Sequence, residues 1–223
     1  MNTNPITQTS ATKVSVLEIN KVLRNTYALL AMTLLFSALT ASISMALNLP
    51  HPGVIITLVG YFVLLFATAK FRNSSTGLIF VFALTGFMGY TLGPILSSYL
   101  SLANGSQIVT NAFLITGVMF LGLSAYALTS KKDFSFMGAF LTVGIIVAFL
   151  AGLAALFFEM PGLSLAVSAM FVLLMAGLIL YETSNIIHGG ETNYIMATVT
   201  LYVSIFNLFT SLLHLLGFMN SQE

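Results

Sequence analysis

Apolar residues in this chain come in long blocks, and polar residues gather in the short breaks between them. Seven blocks stand out: 26–48, 53–69, 77–97, 107–129, 136–158, 163–183 and 195–216. A bilayer core about 30 Å thick needs roughly 20 apolar residues per helix, with about 17 to 25 observed, and every block fits that range. The breaks include Pro50-His51-Pro52-Gly53, Arg72-Asn73-Ser74-Ser75, Asn104-Gly105-Ser106, Lys131-Lys132-Asp133, Glu159-Met160-Pro161-Gly162 and His188-Gly189-Gly190-Glu191. Gly, Pro and Asn mixed with polar side chains are turn chemistry. The blocks are too long, and alternate too little, for barrel strands. The pattern therefore predicts an all-α, polytopic membrane protein. Residues 26–218 form a seven-transmembrane-helix bundle, after a tail of residues 1–25 and before a short tail of residues 219–223.

Composition narrows the function classes. Of 223 residues, 58% are hydrophobic and 6% charged, against about 25% charged in soluble domains. A soluble globular enzyme is excluded, and so is a disordered chain, which needs low hydrophobicity and high net charge. A net charge of +1 offers no basic surface for nucleic acid. The absence of cysteine removes disulfides, thiolate metal sites and cysteine nucleophiles.

Charge placement orients the spans. Twelve of the thirteen charged residues lie outside the blocks, and Glu182 lies inside the sixth. The cations fall in the N-terminal tail (Lys13, Lys21, Arg24), the second break (Lys70, Arg72) and the fourth (Lys131, Lys132). Lys and Arg mark the cytoplasmic side, so the expected N-terminus is cytoplasmic and the C-terminus, after seven spans, periplasmic. The sixth break has neither residue, and its cytoplasmic placement rests on parity alone. No signal-peptide pattern opens the chain. Residues 1–12 read as unstructured, and residues 14–25 as a helix on the membrane surface leading into the first span. That helix is either a topogenic anchor or a handle for a cytoplasmic partner.

Polar groups inside the spans are the candidate chemistry. Thr200, Ser204, Asn207, Ser211 and His214 follow helical spacing in an otherwise apolar last span. Such a stripe cannot face lipid cheaply, so the last helix should be central. The stripe serves either as interhelical packing glue or as the lining of a pathway. The weaker line Thr26, Thr33, Ser37, Thr40 and Ser44 in the first span reads as packing, with hydroxyls bonding back to their own helix. Gly86, Gly89 and Gly93 form a small-residue surface in the third span, and Pro94 should kink or end that helix. Glu182 is expensive inside a span. It is either protonated or ionised against a cation, and the candidate partners are Lys70 and Arg72. The histidines are scattered and no zinc spacing occurs. No nucleophile sits beside a base in the sequence, so catalysis, a metal and a cofactor are all unexpected.

Two stretches carry a family resemblance. One is Lys21-Val22-Leu23-Arg24-Asn25-Thr26-Tyr27, and the other runs from Tyr181-Glu182-Thr183-Ser184-Asn185 through His188-Gly189-Gly190-Glu191-Thr192-Asn193-Tyr194. With Leu201-Tyr202, Asn207-Leu208-Phe209 and the segment Gly86 to Pro94, the chain resembles the Bax inhibitor (transmembrane Bax inhibitor motif) family over its whole length. The resemblance is strongest to the family's proteobacterial inner-membrane branch. It implies a non-enzymatic protein that binds and restrains the membrane AAA protease of the FtsH type. It also implies a pH-controlled calcium leak through paired acidic residues on the last two spans. The first of that pair maps on Glu182, but the second falls on Ser204. A carboxylate beside a hydroxyl loses the coupled titration of two carboxylates, and a lone Glu with Ser and Asn is a poor calcium site. The departure favours protease regulation over a leak of calcium ions or protons past Glu182, Thr200, Ser204, Asn207 and Ser211.

Overall fold

The computed structural model describes residues 16–220. Lys13, the stretch expected to be unstructured (residues 1–12) and residues 221–223 lie outside them. The described residues form seven long helices: α1 (Val16–Ala46), α2 (Val54–Phe71), α3 (Ser75–Leu100), α4 (Gly105–Ser130), α5 (Gly138–Phe157), α6 (Pro161–Ile187) and α7 (Tyr194–Asn220). All seven are long and apolar enough to cross a membrane, and no strand occurs among the described residues. The chain is a multi-pass, all-α membrane protein.

Helix ends follow local chemistry. Pro161 opens α6, where its missing N–H would be unbonded in any case. Lys131 (φ +52°) ends α4 and Gly189 (φ +76°) follows α6, both in left-handed conformations that stop a helix. The Asn193 side-chain oxygen accepts the backbone N–H groups of Ile195 and Met196, each at 3.1 Å, and so caps α7.

Two expectations are sharpened. The helix expected ahead of the first span is present from Val16 on and joins that span without a break. α1 runs unbroken for 31 residues, roughly 46 Å at 1.5 Å per residue. No Gly or Pro between Val16 and Ala46 offers a turn onto the surface. Of the two outcomes expected at Pro94, a kink or an end, the end does not occur, because α3 continues to Leu100. A proline leaves the carbonyl four residues earlier without its N–H, here that of Tyr90. The hydroxyl of Ser44 on α1 donates to that carbonyl at 3.0 Å, and a neighbouring helix thereby supplies the bond the proline removed.

α7 packs against α1, α2, α3, α4 and α6 and occupies the centre. Its first half enters a cluster with Leu29, Leu30, Val81, Leu84 and Met88. Its second half, through Leu208, Leu212 and Leu213, enters another with Ala112, Leu141, Met175 and Ile179. α2 and α5 lie at the periphery. α2 buries only Thr68, while Ile55, Phe66, Val143 and Val147 face outward, a surface suited to lipid.

Candidate functional site

The polar sequence between α6 and α7 ties together one end of the bundle. Ser184 donates its hydroxyl hydrogen to the carbonyl of Lys132 at 3.0 Å and accepts the N–H of Phe134 at 3.0 Å. Thr183 meets the hydroxyl of Tyr27 on α1 at 3.3 Å. The carbonyl of Asn185 receives the N–H groups of Gly190 at 2.9 Å and Glu191 at 3.2 Å. A side-chain carbon on Gly190 would collide with the Asn185 amide oxygen, so a larger residue here would have to displace the Asn185 side chain. Glu191 accepts the Asn193 N–H at 2.6 Å. The Asn193 amide donates to the Arg72 carbonyl at 3.0 Å and to the Asn73 side chain at 2.8 Å. One short stretch therefore fastens α1, the α2–α3 turn and the α4–α5 loop to the ends of α6 and α7.

Glu182 lies within this clasp, 5% exposed. Its Oε1 has no hydrogen-bond partner. Neither of the two cations expected to pair with it does so: Lys70 lies over the Phe71 ring at 5.8 Å, and Arg72 caps the end of α2. The reason is helix order, because α2 packs on α3 and touches α7 but not α6. That order is not readable from span counting.

The α7 stripe divides. Ser204 is fully buried, and its hydroxyl returns to the Thr200 carbonyl at 2.7 Å. The Asn207 amide likewise bonds the Val203 carbonyl at 2.8 Å. Ser211 is buried and Thr200 is half-buried. No hydrogen bond joins Glu182 to Thr200, Ser204, Asn207 or Ser211. His214 reaches across to α6, with Nδ1 2.7 Å from Ser168 Oγ. This is a serine beside a possible base, an arrangement the sequence reading had not found. Both residues lie inside helices whose backbone amides are already bonded, so no free pair of N–H donors stands ready as an oxyanion hole. The contact ties α6 to α7.

The small-residue surface of α3 meets the polar line of α1. A side-chain carbon on Gly89 would strike Thr40 Oγ1 and the Ser37 carbonyl, and one on Gly93 would come within 2.6 Å of Ser44. Thr33 and Thr40 bond back to Leu30 and Ser37 of their own helix, each at 2.9 Å. Ser37 also meets the buried Tyr202 hydroxyl at 2.6 Å, which in turn donates to the Thr85 carbonyl at 3.3 Å. Tyr202 stood in the quoted motif, yet its role in joining α1, α3 and α7 had no signal beyond that.

Two open clefts occupy opposite ends of the bundle. One, of about 370 Å³, is lined by Glu18, Lys21, Val22, Asn25, Thr192 and Tyr194. The other, of about 200 Å³, is lined by Leu102, Ala103, Asn104, Ile108, Gly217 and Asn220. Neither includes Glu182 or the stripe.

The family model described as inhibitor of apoptosis-promoting Bax1 matches residues 19–221. An uncharacterized protein of Pseudomonas aeruginosa is 58% identical over 90% of both chains. The modulator of FtsH protease YccA of Escherichia coli K12 is 54% identical, covering 96% of this chain and 97% of its own. The inner membrane protein YccA of Escherichia coli O6:H1 matches to the same extent.

Proposed function

The chain belongs to the Bax inhibitor family, and on that premise we propose that it is an inner-membrane protein that binds and restrains an FtsH-type membrane protease, without catalysis of its own. The observation that carries this reading is the 54% identity, over 96% of the chain, to a relative named a modulator of that protease. The architecture supports it. Connections between helices are short, so contact with a large membrane enzyme is lateral, through apolar helices such as α2 and α5, or through the loops of the basic end. A well-packed bundle that occupies the protease without being extracted from the membrane would slow its turnover of other membrane substrates. The N-terminus is cytoplasmic and the C-terminus periplasmic. Reporter fusions at both termini test that orientation.

The test of function is purification in mild detergent at native expression. The protease should co-elute, and raising the level of this protein should lengthen the half-life of a membrane substrate of the protease. Isolation without the protease, with substrate half-life unchanged, overturns the reading.

A second reading is favoured by one feature, the buried carboxylate of Glu182. In it, the bundle leaks cations such as calcium in a proton-dependent way past Glu182, Ser204 and Asn207. Calcium efflux from liposomes at about pH 6 and pH 8, either side of neutrality, should then be abolished by Glu182→Gln. Flux no greater than that of empty liposomes removes this reading and leaves the protease partner.

A further inference from the structure

His188 is the residue that closes α6, and neither functional reading uses it. Its ring faces three oxygen atoms. Nδ1 lies 2.8 Å from the Ser184 carbonyl and 3.3 Å from Ser184 Oγ, while Nε2 lies 3.2 Å from the Lys131 carbonyl. Carbonyl oxygens only accept. The Ser184 hydroxyl has one hydrogen, which it gives to Lys132 O while accepting the Phe134 N–H, so it too meets the ring as an acceptor. A neutral imidazole has one N–H and one bare nitrogen. One ring nitrogen would then direct its lone pair at a carbonyl. Only the imidazolium donates on both sides.

The surroundings suit a cation. The ring sits at the C-terminal, negative end of a helix dipole. The carboxylate of Asp133 stands on the facing loop, and its pKa is lowered first by the hydrogen bond from Ser135 and also by the charge of His188. The other charged groups on the elements that meet here are Lys131 and Lys132 on that loop, and Glu182 and Glu191 on the ring's own stretch. From α1, Glu18 and Lys21 line the cleft beside Thr192, and Arg72 lies beyond Asn193.

We propose that His188 is a proton-operated latch, which as an imidazolium bridges the end of α6 to the α4–α5 loop through Lys131 and on deprotonation lets that arm of the loop go. Ser184 still holds the Lys132–Phe134 side, so the movement is confined to the start of the loop and changes how Lys131 is presented to a partner or a lipid headgroup. The latch is independent of the protease reading and of ion flux at Glu182.

The chain has no cysteine, so Lys131→Cys, which keeps the backbone carbonyl that His188 holds, gives a single attachment site for a nitroxide spin label on the full-length protein in lipid nanodiscs. At about pH 5.5 the label should be in the immobile spectral component, and at about pH 8.5 in the mobile one, these values bracketing the histidine range. His188→Arg, with permanent charge and several donors, should keep it immobile at both. His188→Gln should leave it mobile at both. Equal mobility at the two pH values with His188 present overturns the latch. So does an undiminished pH response in His188→Gln, which would assign the response to a group other than His188. Correct folding of His188→Arg, seen as an unchanged elution profile, keeps the comparison valid if His188→Gln is unstable.

Discussion

The α1–α3 interface and the turn between α6 and α7 use the same kinds of residue for different ends. Both are rich in Ser, Thr and Gly. At α1–α3 the hydroxyls of Thr33 and Thr40 bond back to their own helix, and Gly89 and Gly93 admit the facing backbone. Apart from Ser44, which bonds the Tyr90 carbonyl across the contact, these hydroxyls are tolerated so that two helices can approach closely, and van der Waals contact holds them. At the α6–α7 turn, Ser184, His188 and Asn193 reach outward, to Lys132, Lys131, Arg72 and Asn73. There the polar atoms are the attachment, because loops at the end of a bundle have little apolar surface to bury. Depth explains the contrast: inside the bilayer no water competes for a hydroxyl or replaces a lost partner. Damage to the first region should therefore loosen the whole bundle, and damage to the second should free one end of it.

The sharpest way to break this comparison is Gly89→Ala. The added methyl would meet Thr40 and the Ser37 carbonyl, and we expect a global destabilisation of about 2 kcal/mol, as for other overpacked cores. Gly117→Ala is the control, since a methyl there meets nothing within 4 Å. It should be neutral or raise stability by about 0.5 kcal/mol through helix propensity. Unfolding in mixed micelles measures both, and equal effects would refute the close-approach role. At the other region, Ser184→Ala removes the two bonds that this side chain makes to the α4–α5 loop. About 1 to 2 kcal/mol should be lost, and the loss should be local. Hydrogen exchange at Phe134 should accelerate while amides of α1 and α3 keep their protection. Global loosening instead would mean that the clasp is part of the core.

A smaller effect sharpens the account of α1–α3. Ser44→Ala leaves the Tyr90 carbonyl without its donor, and about 1 kcal/mol should follow, in line with interhelical bonds in membranes. In a Pro94→Ala background the helix can supply its own N–H to that carbonyl, so the same substitution should have almost no effect. A double-mutant cycle reads the coupling directly. Additive losses would show that Ser44 acts by packing alone.

What was legible in the sequence follows from what each signal depends on. The seven helices were readable because each apolar block is a local property of length and composition, and α7 was placed centrally because its polar stripe had to avoid lipid. The α1–α3 contact was half readable: Gly89 and Gly93 announced a close surface, but not that Ser44 would rescue the carbonyl orphaned by Pro94. The helix before the first span was readable, but its unbroken join to that span was not, because charge at Lys21 and Arg24 looked like a boundary, though nothing there breaks a helix. Partners across the bundle were not readable. Glu182 was assigned Lys70 and Arg72 from their end of the membrane alone, and α2 is not beside α6. His188 and Lys131 are 57 positions apart, and a hydrogen bond between a ring and a distant carbonyl leaves no trace in spacing.

The smallest expected effect concerns Asp133, and it tests whether the end of the bundle is held by discrete bonds or by general charge. Its pKa is lowered chiefly by the Ser135 backbone N–H, 2.8 Å from Oδ1. The folded pKa lies below that of the free side chain, so the contribution is present in full above the unfolded value. It is lost as the pH falls through the folded one. At neutral pH the ionised Asp133 therefore helps start the turn into α5, and in acid it ceases to. Because the group is fully exposed, water and salt screen it heavily, and the effect should appear in the loop rather than in global unfolding. Asp133→Asn keeps an acceptor for Ser135 but removes the charge opposite His188. At neutral pH it should raise the exchange rate of the Ser135 amide slightly and leave Phe134 unchanged, and the rise should vanish below the usual carboxylate range. A loss of protection spread evenly over the loop would mean that charge, not the individual bonds from Ser184 and Asp133, organises this end of the molecule.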